Sequence, residues 1–444
     1  MRSIRVAMIA LALAAPVCAM PSSASTYKVL HNFCAKATCP DGYWPRARLL
    51  RDGAGNIYGT TLLGGSGKFH DSGSGGTVFR LSPNGSGWTF HVLHNFCAQA
   101  TCADGNMPQS DLIIDTAGKL YGTTVYGGAN GWGVVFRLKP SGSGGYSFKV
   151  LYNFCSVNGG KSCLDGAAPN GLTYAGASSG APYDGVSPLY GTTQHGGGGG
   201  GDAGAVFSLT PSKSQYWNET VLYAFCPTDC SDGASPTGPL WLDGAGNLFG
   251  TAYDGGDNQR GTAFELAPVA GGSWNFARLY SFCAESGCAD GELPVGGVIM
   301  DSAGNLFGQT DSGGDNFQGV LYKIVPNGAS STYVPLHLFC GTCAEGMNPQ
   351  SSLFMDGSGN IIATSGSGGL NGRGGAVYRW NGNTMEALYS FCATYPPSCL
   401  DGNHSEAGVT SDNAGNLFGT TVYGGHHKVP GTNSPPGVVF ELTP

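Results

Sequence analysis

The sequence predicts an all-β protein, a seven-bladed β-propeller of four-stranded blades with one disulfide per repeat. Three observations support this: a glycine-rich unit that recurs along the chain, seven close pairs of cysteines, and short apolar runs separated by turn residues. Helical periodicity is absent throughout. Four short strands in a repeat of about 50–70 residues are typical of a propeller blade.

The glycine-rich unit reads GNLFGTTVYGG at Gly415–Gly425. Its other copies are Gly55–Gly65, Gly118–Gly128, Pro188–Gly197, Gly246–Gly256, Gly304–Gly314 and Gly359–Gly369. Glycine is 76 of 444 residues, against about 7% in average proteins. Because these glycines occupy fixed repeat positions, they indicate a repeat array and not a low-complexity chain. One array can form one closed body, so residues 20–444 are predicted to be a single domain.

The repeat between Cys97 and Cys155 shows how four strands arise. The predicted strands are Asp111–Asp115, Lys119–Thr124, Val134–Leu138 and Tyr146–Phe154. They are rich in β-branched and aromatic residues and are separated by Gly, Pro and Asn. The third strand recurs seven times, as TVFRL, VVFRL, AVFSL, TAFEL, VLYKI, AVYRW and VVFEL.

Both ends of the array are incomplete blades. The mature chain begins with a fourth strand, Tyr27–Cys34, and ends with a third strand, Val438–Leu442. If the N-terminal strand pairs with the C-terminal one, the ring closes and no open strand edge remains. The sequence therefore favours a closed propeller over an open solenoid.

The first 19 residues are predicted to be a signal peptide. Arg2 and Arg5 precede the apolar run Val6–Val17, and cleavage is expected after Ala19. Cys18 allows a lipoprotein as the alternative, although Val17 fits a lipid-attachment site poorly. No second apolar segment has membrane length. The product is expected to be a monomer without a membrane span, secreted or periplasmic.

Fourteen of the 15 cysteines remain after this cleavage, and they form close pairs. The pairs are Cys34 with Cys39, Cys97 with Cys102, Cys155 with Cys163, Cys226 with Cys230, Cys283 with Cys288, Cys340 with Cys343, and Cys392 with Cys399. An even count in an exported chain indicates disulfides, most simply within each repeat. Zinc is an alternative, but it needs four converging ligands. The spacing of Cys340 and Cys343 also matches a thiol redox motif, although the other pairs do not share it.

A second recurring pattern is Asp-x-x-Gly-Asn. Its copies are Asp52–Asn56, Asp243–Asn247, Asp301–Asn305, Asp356–Asn360 and Asp412–Asn416. The run resembles a set of calcium ligands, but a tight turn is the favoured interpretation. Charged residues make up 11% of the chain, with a net charge of −8. No basic stripe is present, so nucleic acid is not an expected partner.

The repeat GNLFGTT-x-x-GG followed by G-x-VFxL-x-P resembles the choice-of-anchor tandem-repeat GloVer family of exported bacterial proteins. The resemblance covers nearly the whole mature chain. It implies a propeller-like, secreted or cell-surface product, and it supplies no catalytic motif. This chain ends at Leu442–Pro444 without a sorting tail, so the resemblance does not extend to a C-terminal anchor.

Candidate functional residues are those that depart from the repeat on the face carrying the cysteine and Gly-Gly loops. Blade 7 and blade 1 adjoin through ring closure, so their unusual residues are expected to meet near the axis. The predicted catalytic residues are His404, Glu406 and Arg46, and the predicted ligand-binding residues are Trp44, Asn403, His426 and His427. An arginine can bind the carboxylate of an acidic sugar, a histidine can transfer a proton, and a tryptophan can stack on a sugar ring. Ordinary solvated loop residues are the alternative, as is a metal at His404, His426 and His427.

Two functions remain open. The first is an exported binding or scaffold module for a glycan or a surface protein. The second is a polysaccharide lyase or glycoside hydrolase at the channel mouth. No GxSxG, HExxH, P-loop or dinucleotide motif occurs, so no cofactor and no metal are predicted, and catalysis is undecided. Charged loop residues such as Asp254, Asp257, Arg260, Asp311 and Asp315 are weaker candidates.

Overall fold

A computed structural model describes residues 25–66, 75–98, 100–142, 144–157, 162–199, 202–214, 216–327, 330–340, 342–393, 399–432 and 434–444. The predicted signal peptide, residues 1–19, lies outside these ranges. No helix among the described residues is long and apolar enough to cross a membrane.

The strands form seven antiparallel sheets, one per blade, as predicted. Blade 1 contains β2 (Leu50–Arg51), β3 (Ile57–Thr61), β4 (Thr77–Asn84) and β5 (Gly87–Asn95), and blade 2 contains β6 (Ile113–Ile114), β7 (Leu120–Thr124), β8 (Val134–Pro140) and β9 (Tyr146–Asn153). Blade 3 contains β10 (Ala167–Tyr174), β11 (Leu189–His195), β12 (Ala205–Thr210) and β13 (Asn218–Ala224), and blade 4 contains β14 (Ala234–Leu242), β15 (Leu248–Asp254), β16 (Thr262–Pro268) and β17 (Trp274–Ser281). Blade 5 contains β18 (Glu292–Met300), β19 (Leu306–Ser312), β20 (Val320–Asn327) and β21 (Ser330–Leu338). Blade 6 contains β22 (Met347–Pro349), β23 (Phe354–Met355), β24 (Ile361–Ser367), β25 (Ala376–Trp380) and β26 (Met385–Ser390). Blade 7 contains β27 (Val409–Ser411), β28 (Leu417–Thr421), β29 (Val438–Thr443) and β1 (Thr26–Asn32). Short 3-10 turns occur at Ala100–Cys102, Ala177–Ser179 and Ser286–Cys288.

The N-terminal strand closes the ring, as predicted. β1 pairs antiparallel with β29, with Thr26 opposite Thr443 and Asn32 opposite Val438. The Tyr27 ring stacks on the ring of Tyr389 in blade 6, with centroids 4.1 Å apart. The first and last described strands therefore share one sheet, and blade 7 gains the fourth strand that it lacks in sequence order.

The first strand of blade 2 is shorter than predicted. Only Ile113–Ile114 pairs as strand, where Asp111–Asp115 was expected. The Ser110 hydroxyl accepts the Thr123 N–H at 3.0 Å and donates to the Thr123 carbonyl at 3.4 Å. Because a side chain takes over these backbone bonds, the ladder stops before it reaches the axis.

The core lies between blades, in apolar clusters that each combine residues of two neighbouring blades. The glycine of GNLFGTT is explained by this packing. At Gly59, an added Cβ would lie 2.5 Å from the Phe79 Cζ, because the Phe79 ring crosses directly over the glycine. The repeated glycine therefore allows close packing between the second and third strands, and blade 6 has the small residue Ala363 at this position.

All seven predicted cysteine pairs form disulfides, each within its own repeat. The bonded pairs are Cys34 with Cys39, Cys97 with Cys102, Cys155 with Cys163, Cys226 with Cys230, Cys283 with Cys288, Cys340 with Cys343, and Cys392 with Cys399. The pairing within each repeat is thus confirmed, for Cys340 and Cys343 as for the six more widely spaced pairs.

The loop that each disulfide closes lies beside a Gly-Gly loop. In blade 1 the Asp41 carboxylate accepts the Cys34 N–H at 3.0 Å and lies 3.0 Å from His31 Nε2. The Gly65 amide donates to the Cys39 carbonyl at 2.9 Å. The disulfide loops and the Gly-Gly loops therefore share one face, called here the disulfide face.

The Asp-x-x-Gly-Asn runs are turns. Asp52 Oδ1 accepts the N–H groups of Ala54 and Asn56, and its Oδ2 accepts the Asn56 side-chain amide at 2.8 Å. The other four copies repeat these bonds. Both carboxylate oxygens thus serve the turn, which explains the repeat without a metal ion.

Candidate functional site

At or shortly before the start of the first strand of each blade, called here the inner strand, lies a residue in the left-handed region of backbone conformation. The seven residues have φ between 51° and 61°: Trp44, Met107, Ala168, Ser235, Leu293, Asn348 and His404. Each donates its backbone N–H to a loop carbonyl of the preceding blade, as His404 does to Gly374 at 2.9 Å. This bond offsets the cost of the left-handed conformation, about 1–2 kcal/mol for a residue other than glycine. It also fixes the position at which each chain turns into its inner strand.

Two residues further along, each blade contributes one side chain to a cavity of about 340 Å³ on the propeller axis. The seven residues are Arg46, Gln109, Asn170, Thr237, Val295, Gln350 and Glu406. Six of them are polar or charged, so the cavity offers hydrogen-bonding groups from nearly every direction. We call this space the axial cavity.

Arg46, Glu406 and His404 meet at the wall of the axial cavity. Arg46 Nε lies 3.4 Å from Glu406 Oε2, and His404 Nε2 lies 2.9 Å from Glu406 Oε1. Arg46 belongs to blade 1 and the other two belong to blade 7, so the contact depends on ring closure. The structure thus brings together all three residues predicted to be catalytic.

The contacts of His404 favour its positively charged form. Its Nδ1 lies 2.7 Å from the Gly366 carbonyl, which can only accept, so Nδ1 carries a proton. Its Nε2 faces the Glu406 carboxylate, which likewise accepts. The hydrogen bond to Glu406 raises the pKa of His404 above its ordinary value, against the opposing effect of burial. His404 therefore donates through both nitrogens and holds Glu406 in place.

Gly366 makes room for the His404 ring. A Cβ at Gly366 would lie 3.1 Å from His404 Cε1 and 3.3 Å from its Nδ1. At the equivalent position of blade 5 stands Asp311, which carries a side chain. Because Gly366 of blade 6 has no side chain, there is space for the His404 ring of blade 7.

Asp311 adds a second carboxyl group beside this cluster. Its Oδ1 accepts from Gln350 Nε2 at 2.9 Å. Burial raises the pKa of Asp311, the nearby Glu406 charge adds to this rise, and His404 opposes it. From the sequence, Asp311 was only a weaker candidate for a functional residue. Its proximity to blade 7 depends on packing across blade 6, which the sequence does not show.

Trp44 and Asn403, both predicted to bind ligand, contact this cluster through Tyr423. The Tyr423 ring centroid lies 5.7 Å from that of His404 and 5.9 Å from that of Trp44. Asn403 pairs with Tyr423 through two backbone hydrogen bonds of 2.9 Å. Both residues therefore help to build the wall beside His404.

His426 and His427 lie elsewhere on the disulfide face. His426 is exposed and its backbone N–H donates to Asn32 Oδ1 at 3.1 Å. Among the contacts of the described residues, none joins either histidine to His404. The structure therefore does not bring together the three histidines that were considered as an alternative metal site.

A further ion pair, missed in the sequence, lies at the next inner-strand position. Arg48 Nε lies 3.2 Å from Asp111 Oδ2, and the Arg48 N–H donates to Asp111 Oδ1 at 2.8 Å. Burial raises the pKa of Asp111, while Arg48 lowers it. Aligning the residues that follow the Pro of each repeat would have placed Arg48 and Asp111 at one repeat position in adjacent blades.

A family model described as the Gloeobacter/Verrucomicrobia repeat matches residues 17–187 and 276–444. The chain belongs to this family. The match confirms the resemblance seen in GNLFGTT-x-x-GG. In this member, the Gloeobacter/Verrucomicrobia repeats form the blades of a propeller. No curated protein matches the chain.

Solved structures that align with this family member have little sequence in common with it. A protein of unknown function from Dyadobacter fermentans aligns at 11% identity and a TM-score of 0.44, over 96% of this chain and 100% of that one. Trypanosoma rangeli sialidase in complex with sialic acid aligns at 12% identity and a TM-score of 0.42, over 95% of this chain and 59% of that one. The NanB sialidase of Streptococcus pneumoniae aligns at 12% identity and a TM-score of 0.41, over 94% and 70%.

Proposed function

We propose that this protein is an exported binding module whose ligand is a glycan bearing carboxylate groups, held in the axial cavity. The observation that carries the proposal is the position of Arg46. Its guanidinium lines the cavity and makes a single long contact, 3.4 Å, to Glu406. The Arg46 side chain is 35% exposed, so part of its guanidinium is accessible from the cavity. A planar carboxylate of a sugar acid is the acceptor that suits such a guanidinium.

The charges around Arg46 favour an anionic group although the chain as a whole is acidic. Arg46 and the protonated His404 contribute two positive charges, and Glu406 contributes one negative charge. Burial raises the pKa of the neighbouring Asp311, which favours its neutral form. Asp111 also lines the cavity, but it is paired with Arg48. The wall at Arg46 therefore attracts a carboxylate, and the attraction should weaken as salt concentration rises.

The rest of the polar ring suits the hydroxyl groups of a sugar. Gln109 and Gln350 present amides that can both donate and accept. The Asn170 amide is buried, and its N–H groups already donate to Thr192 Oγ1 and to the Pro236 carbonyl. Gln194 Nε2 already donates to Asn170 Oδ1 at 3.0 Å, which fixes the orientation of that amide. Preorganised amides of this kind reduce the entropy lost on binding.

A second candidate function is cleavage of the same class of glycan. Two carboxyl groups, those of Asp311 and Glu406, lie near each other and differ in their surroundings. Asp311 is half-buried with a raised pKa, whereas Glu406 contacts two cations. Such a pair provides an acid and a base for a glycoside hydrolase or a lyase. In this scheme His404 positions Glu406, because both of its nitrogens are occupied.

Export is part of the proposal and rests on the disulfides. Seven disulfides require an oxidising compartment, either outside the cell or in the periplasm. The predicted signal peptide, residues 1–19, agrees with this location.

The test is titration of the protein with oligogalacturonates and with neutral cello-oligosaccharides, measured by calorimetry. We expect binding of the acidic series only, and a loss of at least about tenfold in Arg46→Met, equal to about 1.4 kcal/mol. Arg278→Met is the matched control, because Arg278 is already paired with Asp257 at 2.7 Å. Equal affinity for both sugar series, or an unchanged Arg46→Met variant, would contradict the proposal. Appearance of shorter or unsaturated products during the titration would instead support the cleaving enzyme.

A further inference from the structure

Exposed apolar side chains are concentrated at the junction of blades 2 and 3, on the disulfide face. Tyr126 is 44% exposed, Trp132 37%, Val157 48% and Leu164 38%. Asn130 Nδ2 donates to the Phe154 carbonyl at 2.9 Å, and Leu164 N–H donates to the Val157 carbonyl at 3.2 Å. These bonds hold the Gly-Gly loop of blade 2 against the disulfide loop that follows it. We call the four exposed residues the apolar platform.

The two aromatic residues of the platform flank the base of one short loop. Tyr126 precedes Gly127, and Gly127 forms a β-bridge with Trp132. The Asn106–Tyr126 bridge attaches this loop to the start of the inner strand of blade 2. The rings are therefore held by backbone bonds on a tight loop, although much of their surface is open to solvent.

The platform adjoins the axial cavity through the backbone. The Trp132 carbonyl accepts the Ala168 N–H at 3.0 Å, and Asn170, two residues later, lines the cavity. Because Ala168 is left-handed, the chain from Ala168 to Asn170 spans less than the roughly 7 Å of two fully extended residues. A ligand that occupies the cavity near Asn170 thus needs only a short extension to reach Trp132.

The size of the platform distinguishes a sugar chain from a protein partner. The exposed parts of the Tyr126 and Trp132 rings amount to roughly 200 Å². A stable protein interface buries about 800 Å² on each partner. The ring area is therefore too small for a second copy of the chain, but it matches the flat apolar face of one or two pyranose rings. No charged residue belongs to the platform, so it suits the C–H face of a sugar and not its carboxylate.

We propose that Tyr126 and Trp132 form a second sugar subsite, so that the ligand is an oligosaccharide chain running from the axial cavity outward over blades 2 and 3. This inference rests on the proposed function and adds chain length to it. Arg46 recognises an acidic sugar within the cavity, and the platform stacks on a sugar further along the same chain. Affinity should therefore rise with the number of sugar units.

The test is calorimetric titration with galacturonate and with oligogalacturonates of increasing length. For the unaltered protein we expect affinity to rise by about tenfold or more between the monomer and the longer oligomers. Trp132→Ala should remove most of that rise and leave binding of the monomer unchanged, while Trp132→Phe, which keeps a ring, should restore much of it. Phe317→Ala is the control, since Phe317 is 60% exposed on the equivalent loop of blade 5.

The outcomes separate the two proposals. An unchanged length dependence in Trp132→Ala, with binding still lost in Arg46→Met, would overturn the subsite and leave the proposed function intact. Absence of binding at every length would refute the proposed function and the subsite with it. A dimer seen by analytical ultracentrifugation and abolished in Trp132→Ala would show that a second copy covers the platform, which also overturns the subsite.

Discussion

Replacement of Glu219, a half-buried carboxylate on β13, is expected to stabilise the protein. In the other blades this position of the fourth strand holds Tyr27, Phe90, Phe148, Phe276, Tyr333 or Met385. Five of these rings stack on a His or Tyr of the preceding blade, with centroids 3.9–4.3 Å apart. In blade 3 the carboxylate of Glu219 takes the place of the ring beside Tyr152. Its buried Oε1 has no hydrogen-bond partner within the described residues.

The expected magnitude follows from protonation. Burial, together with the charge of Asp165, raises the pKa of Glu219 from 4.5 to about 8. The folded state therefore holds the proton more tightly than the unfolded state does. Below pH 4.5 both states are protonated and folding bears no penalty, whereas between pH 4.5 and about 8 the penalty grows as pH rises. At pH 7 it amounts to about 3 kcal/mol.

The assay is urea unfolding of the disulfide-intact protein between pH 4 and pH 9. Glu219→Gln should be more stable than the unaltered protein by about 3 kcal/mol at pH 7, and equally stable at pH 4. Glu219→Phe should restore the stacked pair. Its free energy of unfolding should exceed that of Glu219→Gln by about 0.5–1.5 kcal/mol at every pH. Glu386→Gln is the control, because Glu386 is exposed and its pairing with Arg379 is worth less than about 1 kcal/mol. If the difference between Glu219→Gln and the unaltered protein did not change with pH, the assigned protonation would be wrong.

Two further predictions concern the scaffold. The Tyr322 hydroxyl is fully buried with no partner among the described residues, whereas the Tyr378 hydroxyl donates to Gln309 Oε1 at 2.5 Å. Tyr322→Phe should therefore raise the free energy of unfolding by about 1–3 kcal/mol, and Tyr378→Phe should lower it by a similar amount. Both changes are measured by urea unfolding, and equal effects of the two would contradict this. Deletion of Thr26–Asn32 should expose the edge of β29 and cause a large fall in melting temperature or aggregation, and an unchanged melting temperature would refute the closure of the ring.

The architecture was predictable because each element is specified seven times. A single copy of GNLFGTT would suggest only a strand, but its spacing, the third-strand runs and the incomplete ends together indicate a closed ring. The left-handed residues before each inner strand were not predictable in this way. A residue before proline normally avoids the helical regions and favours extended backbone. The left-handed conformation of Met107 or Ser235 is stabilised by a hydrogen bond to the neighbouring blade, which only the folded ring provides.

The candidate site was predictable only in part, for a related reason. Arg46, His404 and Glu406 were identified because they differ from their repeat equivalents at positions that closure brings together. Asp311 escaped notice because its partners belong to the following blades. Comparing the seven residues at one repeat position reveals the unusual ones. Contacts between different repeat positions of adjacent blades can be identified only from the structure.

Gly366 shows how such contacts arise between blades. The glycine of blade 6 has no evident role when its own blade is considered alone. The same is true of the histidine of blade 7. Together they place the charged His404 ring against the Gly366 carbonyl, with its second nitrogen directed at Glu406. Since every inner strand contacts its neighbours at the axis, a departure from the repeat in one blade can be retained only if the next blade accommodates it. Paired departures in adjacent blades therefore mark the candidate site of this propeller. The contacts described show no such partner change for His426 and His427, whose role in ligand binding stays a prediction.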